Sequence, residues 1–132
     1  MDIFTLAQRP ELELIPIIRR GLSAGAFTYI ARALNIPSST LATKLHIRAG
    51  TVVRGQANRK PLSLEVSEKV IRIARIRNLA QRIFTNDHAI GHWLTQASPA
   101  LDGAPPLDWL DTETGARRVE NLLHSIMHGH VS

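Results

Sequence analysis

An all-α fold is predicted for this chain by three observations. Apolar residues recur at helical spacing in successive windows, as at Phe27, Ile30, Ala31 and Leu34. No stretch alternates convincingly at the period of two that a half-buried strand requires. The intervals between windows carry helix punctuation at Pro10, Gly21, Pro37 and Pro61 and in the Gly/Pro-rich run from Ser98 to Pro106. With 132 residues, 44% of them hydrophobic, the chain can bury the core of one ordinary domain or of two small helical ones.

Residues 1–8 carry few signals and read as a frayed start. Pro10 suits the first turn of a helix, where its missing N–H costs nothing. Leu12, Leu14, Ile15, Ile17 and Ile18 make that helix mostly apolar; Pro16 is expected to kink or shorten it, and Gly21 to stop it. Ser23 is the expected N-cap of the helix that carries Phe27 to Leu34. Asn35-Ile36-Pro37 ends it, because a residue before proline avoids the helical region. Ser38 or Ser39 caps the next helix, which finishes near Leu45. A tight turn through His46, Ile47 and Arg48 then leads into a helix from Ala49 to about Gln56. Ala42, Leu45, Ile47 and Val52 point inward, leaving Arg48, Gly50, Thr51 and Arg54 outward. Two short helices joined in this way form a helix-turn-helix, whose second helix fits the DNA major groove.

Gly55 to Pro61 reads as a polar, basic loop. Ser63 caps a long helix to about Phe84, whose apolar positions include Leu64, Val66, Val70, Ile73, Ile76, Leu79, Ala80, Ile83 and Phe84. They cover more than one stripe, so the helix is expected to pack on two sides. Lys69, Arg72, Arg75, Arg77 and Arg82 occupy what remains, and the helix reads as a bridge and a plausible dimer surface. Asn86 or Asp87 caps a short helix with Ala89, Ile90, Trp93 and Leu94. Pro106 to Leu110 looks like a single turn that inserts Leu107, Trp109 and Leu110 into a small core. Thr112 or Thr114 opens the last helix, with Val119, Leu122, Leu123, Ile126 and Met127 as its buried stripe and Gly129 as its C-cap.

Charge divides the chain. Residues 1–85 hold 14 Lys/Arg against 5 Asp/Glu, and residues 86–132 hold 2 against 6, so a half of +9 precedes a half of −4. The two signs suggest two partners of opposite character, the basic half suiting phosphate; the plainer reading is that the halves steady one another. There is no cysteine, which excludes disulfides and thiolate zinc sites and makes a cytoplasmic setting natural. No apolar run approaches the ~18 residues of a membrane span, and no membrane partner is expected. For DNA, the expected contacts are Arg48, Gly50, Thr51 and Arg54, with Asn58, Arg59 and Lys60 beyond them holding backbone phosphates. His88/His92 and His124/His128 are spaced i,i+4 but lack a third ligand and the glutamate of a metalloprotease motif, so capping or surface roles are expected and no metal. Trp93 and Trp109 read as core. No nucleophile–base pair, paired carboxylate or phosphate-cradling loop is present, so neither an enzyme nor a cofactor is expected.

In its C-terminal half the chain runs Ala80…Ile83-Phe84, Ala89…Trp93-Leu94, Leu101…Gly103…Pro106-Leu107…Leu110, Thr112…Gly115…Val119…Leu123 and His128-Gly129. In that order, with Gly21-Leu22-Ser23 and the helix-turn-helix upstream, it resembles the Xre-type antitoxins of RES–Xre toxin–antitoxin modules, the Xre/MbcA/ParS group. The resemblance implies an N-terminal helix-turn-helix region (1–62), a long connecting helix (63–85) and a toxin-binding region (86–132). It further implies binding and neutralisation of a RES-domain toxin, an enzyme that consumes NAD, and autorepression of the operon as a homodimer within a larger complex on operator DNA. The toxin-facing residues would lie on the last helix and tail: Arg117, Arg118, Asn121, His124, Ser125, His128, Gly129, His130, Val131 and Ser132. Two departures stand out. His46 occupies a turn position where such repressors usually carry glycine, so a strained or wider turn is expected, and Gly50 weakens the start of the recognition helix. A stand-alone repressor with a dimerising or ligand-sensing C-terminal domain is the rival reading.

Overall fold

The structure, a computed structural model, describes residues 2–48 and 50–129, and every regular element among them is helical. The elements are α1 (Ile3–Leu6), α2 (Glu11–Arg20), α3 (Ala24–Ala33), α4 (Ser38–Lys44), α5 (Thr51–Asn58), α6 (Leu64–Ala80), α7 (Asp87–Thr95) and α8 (Glu113–Met127). Short 3₁₀ turns at Pro99–Leu101 and Pro106–Trp109 bridge α7 and α8.

Helix α6 is the axis of the molecule. The Ser63 hydroxyl caps it by accepting from the Val66 N–H at 3.1 Å, and α1, α2, α3, α7 and α8 all pack on it. Val70, Ile73, Ala74, Ile76 and Ala80 are fully buried, as the broad apolar pattern required. The helix stops at Ala80 rather than near Phe84; Ile83 and Phe84 fall in a turn whose N–H groups both donate to the Ala80 carbonyl. Leu64, half exposed, contributes little to the core. One apolar core runs from Ile3 on α1 to Leu123 on α8 without a break, so the two halves of opposite charge share a single interior.

Several local expectations are corrected. The start of the chain is anchored, not frayed: the Asp2 carboxylate caps α1 through Thr5 N–H at 2.9 Å, and Ile3 and Phe4 are buried. Asn78 donates to the Phe4 carbonyl at 2.9 Å, and the Arg77 guanidinium lies 3.9 Å from the Phe4 ring centroid. A four-residue helix is too short to show a period, and the groups that hold it lie some seventy positions away in sequence. Pro16 does not shorten α2, which continues through to Arg20. The carbonyl left without a donor belongs to Leu12, itself 84% exposed. The α2 core contacts are therefore Leu14 and Ile18, with Ile15 outward. Neither Ser38 nor Ser39 caps α4, because Pro37, at φ −55° and ψ 136°, already turns the chain into Ser38. Thr112, not Thr114, caps α8 through Gly115 N–H at 3.0 Å. On α8, Ile126 lies outside the buried stripe. His128 is the C-cap residue, and Gly129 follows it at φ +72°.

Candidate functional site

The helix-turn-helix is built on α4 and α5. Leu41 and Leu45 are fully buried, and Ile47 and Val52 nearly so, which fixes the crossing of the two short helices against α3. His46 adopts the left-handed conformation, φ +56°, that a glycine would take more easily. The turn keeps the expected shape and carries modest strain, offset by its hydrogen bonds. His46 N–H donates to Thr43 O at 3.1 Å and Ile47 N–H to Ala42 O at 2.8 Å. The buried Lys69 ammonium donates to His46 O at 3.2 Å.

The recognition helix proper is Thr51–Asn58, with Gly50 as its N-cap at φ +87°; the expected start, Ala49, lies outside the described residues. Gly50 has a positive use as well as a cost. Its φ is one that L side chains rarely adopt, so glycine turns the chain into the helix without backbone strain. The segment expected as a loop from Gly55 is helical through Asn58, and Arg59 ends it in the left-handed conformation at φ +52°. Arg48, Arg54, Asn58, Arg59 and Lys60 are exposed; Gly50 and Thr51 are half-buried. Arg59 and Lys60 border a cleft of about 500 Å³ that also takes in Ser23, Gly25 and Gln56. Sequence reasoning missed Val53, which is 69% exposed, and Gln56 beside it. Val52 and Val53 are indistinguishable in composition. Only the ~100° between successive helical residues, set by the packing of α5, decides which one is buried.

The acidic half meets the basic half through named pairs. Of the six Asp and Glu in residues 86–132, all but Asp102 lie against Lys, Arg or His side chains of residues 44–77. Lys44 Nζ lies 2.6 Å from Asp108 Oδ1, an ionic contact without hydrogen-bond alignment. His46 Nε2 lies 3.2 Å from Asp111, and Arg77 Nε 2.8 Å from Asp87. Arg72 reaches Glu113 at 3.4 Å and donates to the carbonyls of Leu110 and Asp111 at 3.1 and 3.2 Å. Arg75 binds Glu113 and, at 3.0 Å, Glu120. Burial alone pushes the Glu113 carboxyl up, but the hydrogen bond and charge of Arg75, joined by Arg72, outweigh it and hold the group below the usual carboxylate range. The cations Arg72, Arg75 and Arg77 of α6 therefore reach across to the C-terminal elements. The charge division thus also steadies the molecule, which leaves room for separate partners of the two halves.

On α8, Ala116, Val119 and Leu123 are fully buried. Gly115 lets the helix start against the Trp109 carbonyl, where any Cβ would overlap it. Arg117, Arg118, Asn121, His124, His128 and Gly129 are exposed and Ser125 is half-buried. The helix thus brings the expected partner-facing residues onto its outer surface; His130, Val131 and Ser132 lie outside the described residues. The Arg118 guanidinium is 5.9 Å from the Trp109 ring centroid. Trp93 and Trp109 are half-buried against the core, with Trp93 packed 5.6 Å from Phe84. The buried Trp109 Nε1 has no hydrogen-bond partner among the described residues. His124 and His128 stack with ring centroids 6.3 Å apart. Among the described residues no three His, Asp or Glu gather as a metal site, and no helix is long and apolar enough to cross a membrane.

Comparison with known proteins bears on both surfaces. Residues 13–75 match the antitoxin Xre-like helix-turn-helix domain, and residues 79–129 match the antitoxin Xre/MbcA/ParS C-terminal toxin-binding domain. A Sphingobium protein named Prs ADP-ribosylating antitoxin is 29% identical over 127 residues, covering 89% of this chain and 80% of that protein. The antitoxin Xre of Pseudomonas putida is 27% identical over 80% of this chain and 60% of its own length. That of Yersinia enterocolitica is 26% identical over 88% and 79% respectively.

Proposed function

Since this chain belongs to the Xre/MbcA/ParS group of antitoxins, we propose that it neutralises a RES-domain toxin, an NAD-consuming enzyme, by covering that enzyme's active site. Its own contribution is steric and electrostatic and involves no chemistry. In this reading α8 and the tail after it, from Arg117 onward, make the toxin contact within residues 86–132. Residues 1–62 bind operator DNA as a homodimer in the cytoplasm and repress the operon, while residues 63–85 join the two regions. The observation that carries the reading is the exposed polar face of α8 within the segment that matches a toxin-binding domain.

Electrostatics supports the DNA role. Arg48, Arg54, Arg59 and Lys60 are exposed on and beside α5, and in the structure no carboxylate lies within ion-pair reach of them among the described residues. Free cations on a recognition helix and its flank are what phosphate contacts need. The test is co-expression with the product of the neighbouring reading frame. Growth should be rescued and the two proteins should co-purify. Truncation after Met127 removes none of the buried residues of α8, so it should abolish rescue while the shortened chain stays folded. Full rescue by that truncation would exclude the residues after Met127 from the contact and leave it to α8 alone. Absence of a RES-like neighbour, with operator binding intact, would favour a stand-alone repressor.

A further inference from the structure

Resting on the proposed role of α8 in partner binding, we propose that its outer face is a cationic clamp and that the protein surface it receives is acidic. The overall charge of this half points the other way, since residues 86–132 hold 2 Lys/Arg against 6 Asp/Glu. The structure removes most of that objection, leaving the exposed Asp102 as the one carboxylate of this half without an ion-pair partner among the described residues. Glu113 and Glu120, the carboxylates of α8 itself, both turn to Arg75, and Asp87, Asp108 and Asp111 are taken up by Arg77, Lys44 and His46. The charge left facing outward on α8 is that of Arg117 and Arg118, which are exposed and form no ion pair among the described residues.

The surroundings of these arginines suit a protein partner. Arg118 and Asn121 stand between two clefts. One, of about 490 Å³, is lined also by Leu101 and Leu122; the other, of about 480 Å³, by Trp109 and Arg117. Trp109 lies beside the Arg118 guanidinium, an arrangement that orients the fork before any partner arrives. A carboxylate entering either cleft can be held bidentately. Arginine and tryptophan beside clefts of mixed polar and apolar lining are the composition of protein-interface anchors, whereas a duplex backbone offers a convex row of phosphates with nothing to fill such clefts.

The test measures the dissociation constant between the full-length chain and the purified product of the neighbouring reading frame, by calorimetry, from about 50 to 500 mM NaCl. Wild type should weaken at least ~10-fold across that range. The Arg117→Gln/Arg118→Gln variant should bind at least ~10-fold more weakly at the low-salt end and respond less to salt, while the double lysine variant keeps most of the salt response. A salt-independent wild-type constant, or a glutamine variant that binds as wild type does, overturns the acidic-partner assignment. A glutamine variant that keeps its protein partner but loses operator DNA overturns it as well, and gives the arginines to nucleic acid. If wild type binds no partner at any salt, the role of α8 itself fails, and the clamp with it.

Discussion

Gly91 offers the sharpest test of how the two halves are joined. Helix α7 crosses the end of α3 so closely that a Cβ on Gly91 would overlap the Leu34 carbonyl, with Leu34 Cα only 3.3 Å away. All of these neighbours are backbone, so no side chain can swing aside. In Gly91→Ala, α7 must retreat by roughly 1 Å, carrying with it Ile90 and Leu94, both fully buried. A gap of that size forfeits about a quarter to a half of the dispersion energy across it, roughly 1–3 kcal/mol for each of two such side chains. Alanine's better helix propensity returns about 1 kcal/mol. The expected net loss is about 1–5 kcal/mol, a sizeable fraction of the ~5–15 kcal/mol typical of a whole domain. Urea denaturation followed by circular dichroism should show a lower midpoint at unchanged slope. Gly25→Ala is the control of opposite sign: its nearest neighbour would be Ser23 Oγ at an ordinary 3.7 Å, and it should gain about 0.5 kcal/mol. A Gly91→Ala stability within ~0.5 kcal/mol of wild type would refute the close-approach argument.

Two further outcomes follow from the charge network and the recognition helix. Because the Glu113 carboxyl is held below its ordinary range by Arg75 and Arg72, its contribution to stability is present above the unfolded glutamate value of about 4.3 and is lost as pH falls through the depressed folded value. Glu113→Gln should therefore cost up to about 1 kcal/mol at neutral pH, the scale of a half-exposed ion pair. Its deficit in urea midpoint should shrink towards pH 3, roughly a unit below that reference value; a deficit constant with pH would contradict the assignment. On α5, the exposed Val53 side chain is placed to meet a thymine methyl if the helix reads the major groove as proposed. Val53→Ala should then bind a duplex from the chain's own upstream region about 5-fold more weakly, the scale of a buried methyl or two. Uracil-for-thymine DNA should reproduce that loss in wild type but add nothing in the variant; equal wild-type affinity for both DNAs would exclude the contact.

Much of the architecture was legible from local chemistry. The Ser63 and Asn86 caps, the stop at Gly21 and the inward set Leu45, Ile47 and Val52 follow from rules that operate within a few residues, and the structure bears each of them out. The order of apolar and glycine positions from Ala80 to Gly129 likewise announced the C-terminal domain that comparison identifies. Failures came where the deciding partner is distant. Ile3 and Phe4 looked unremarkable until Arg77 and Asn78 were seen to hold them. The cations of α6 read only as what its apolar positions leave over, whereas in the fold Asp87, Glu113 and Glu120 reach three of them.

Composition, capping residues and apolar periodicity, which act over one or two helical turns, were enough to specify an all-α chain with a helix-turn-helix and a last helix bearing a buried stripe. They could not say which of two adjacent valines on α5 is buried, why Gly91 and Gly115 must lack a Cβ, or where the acidic charge goes. Those answers depend on which backbones approach one another and which opposite charges meet across the core, and both are set only when α6 brings the two halves together. An apparent acidic half became, Asp102 apart, a seam of ion pairs with the basic half beside two exposed arginines on α8, because ion pairing is decided by distance in space, not by position along the chain.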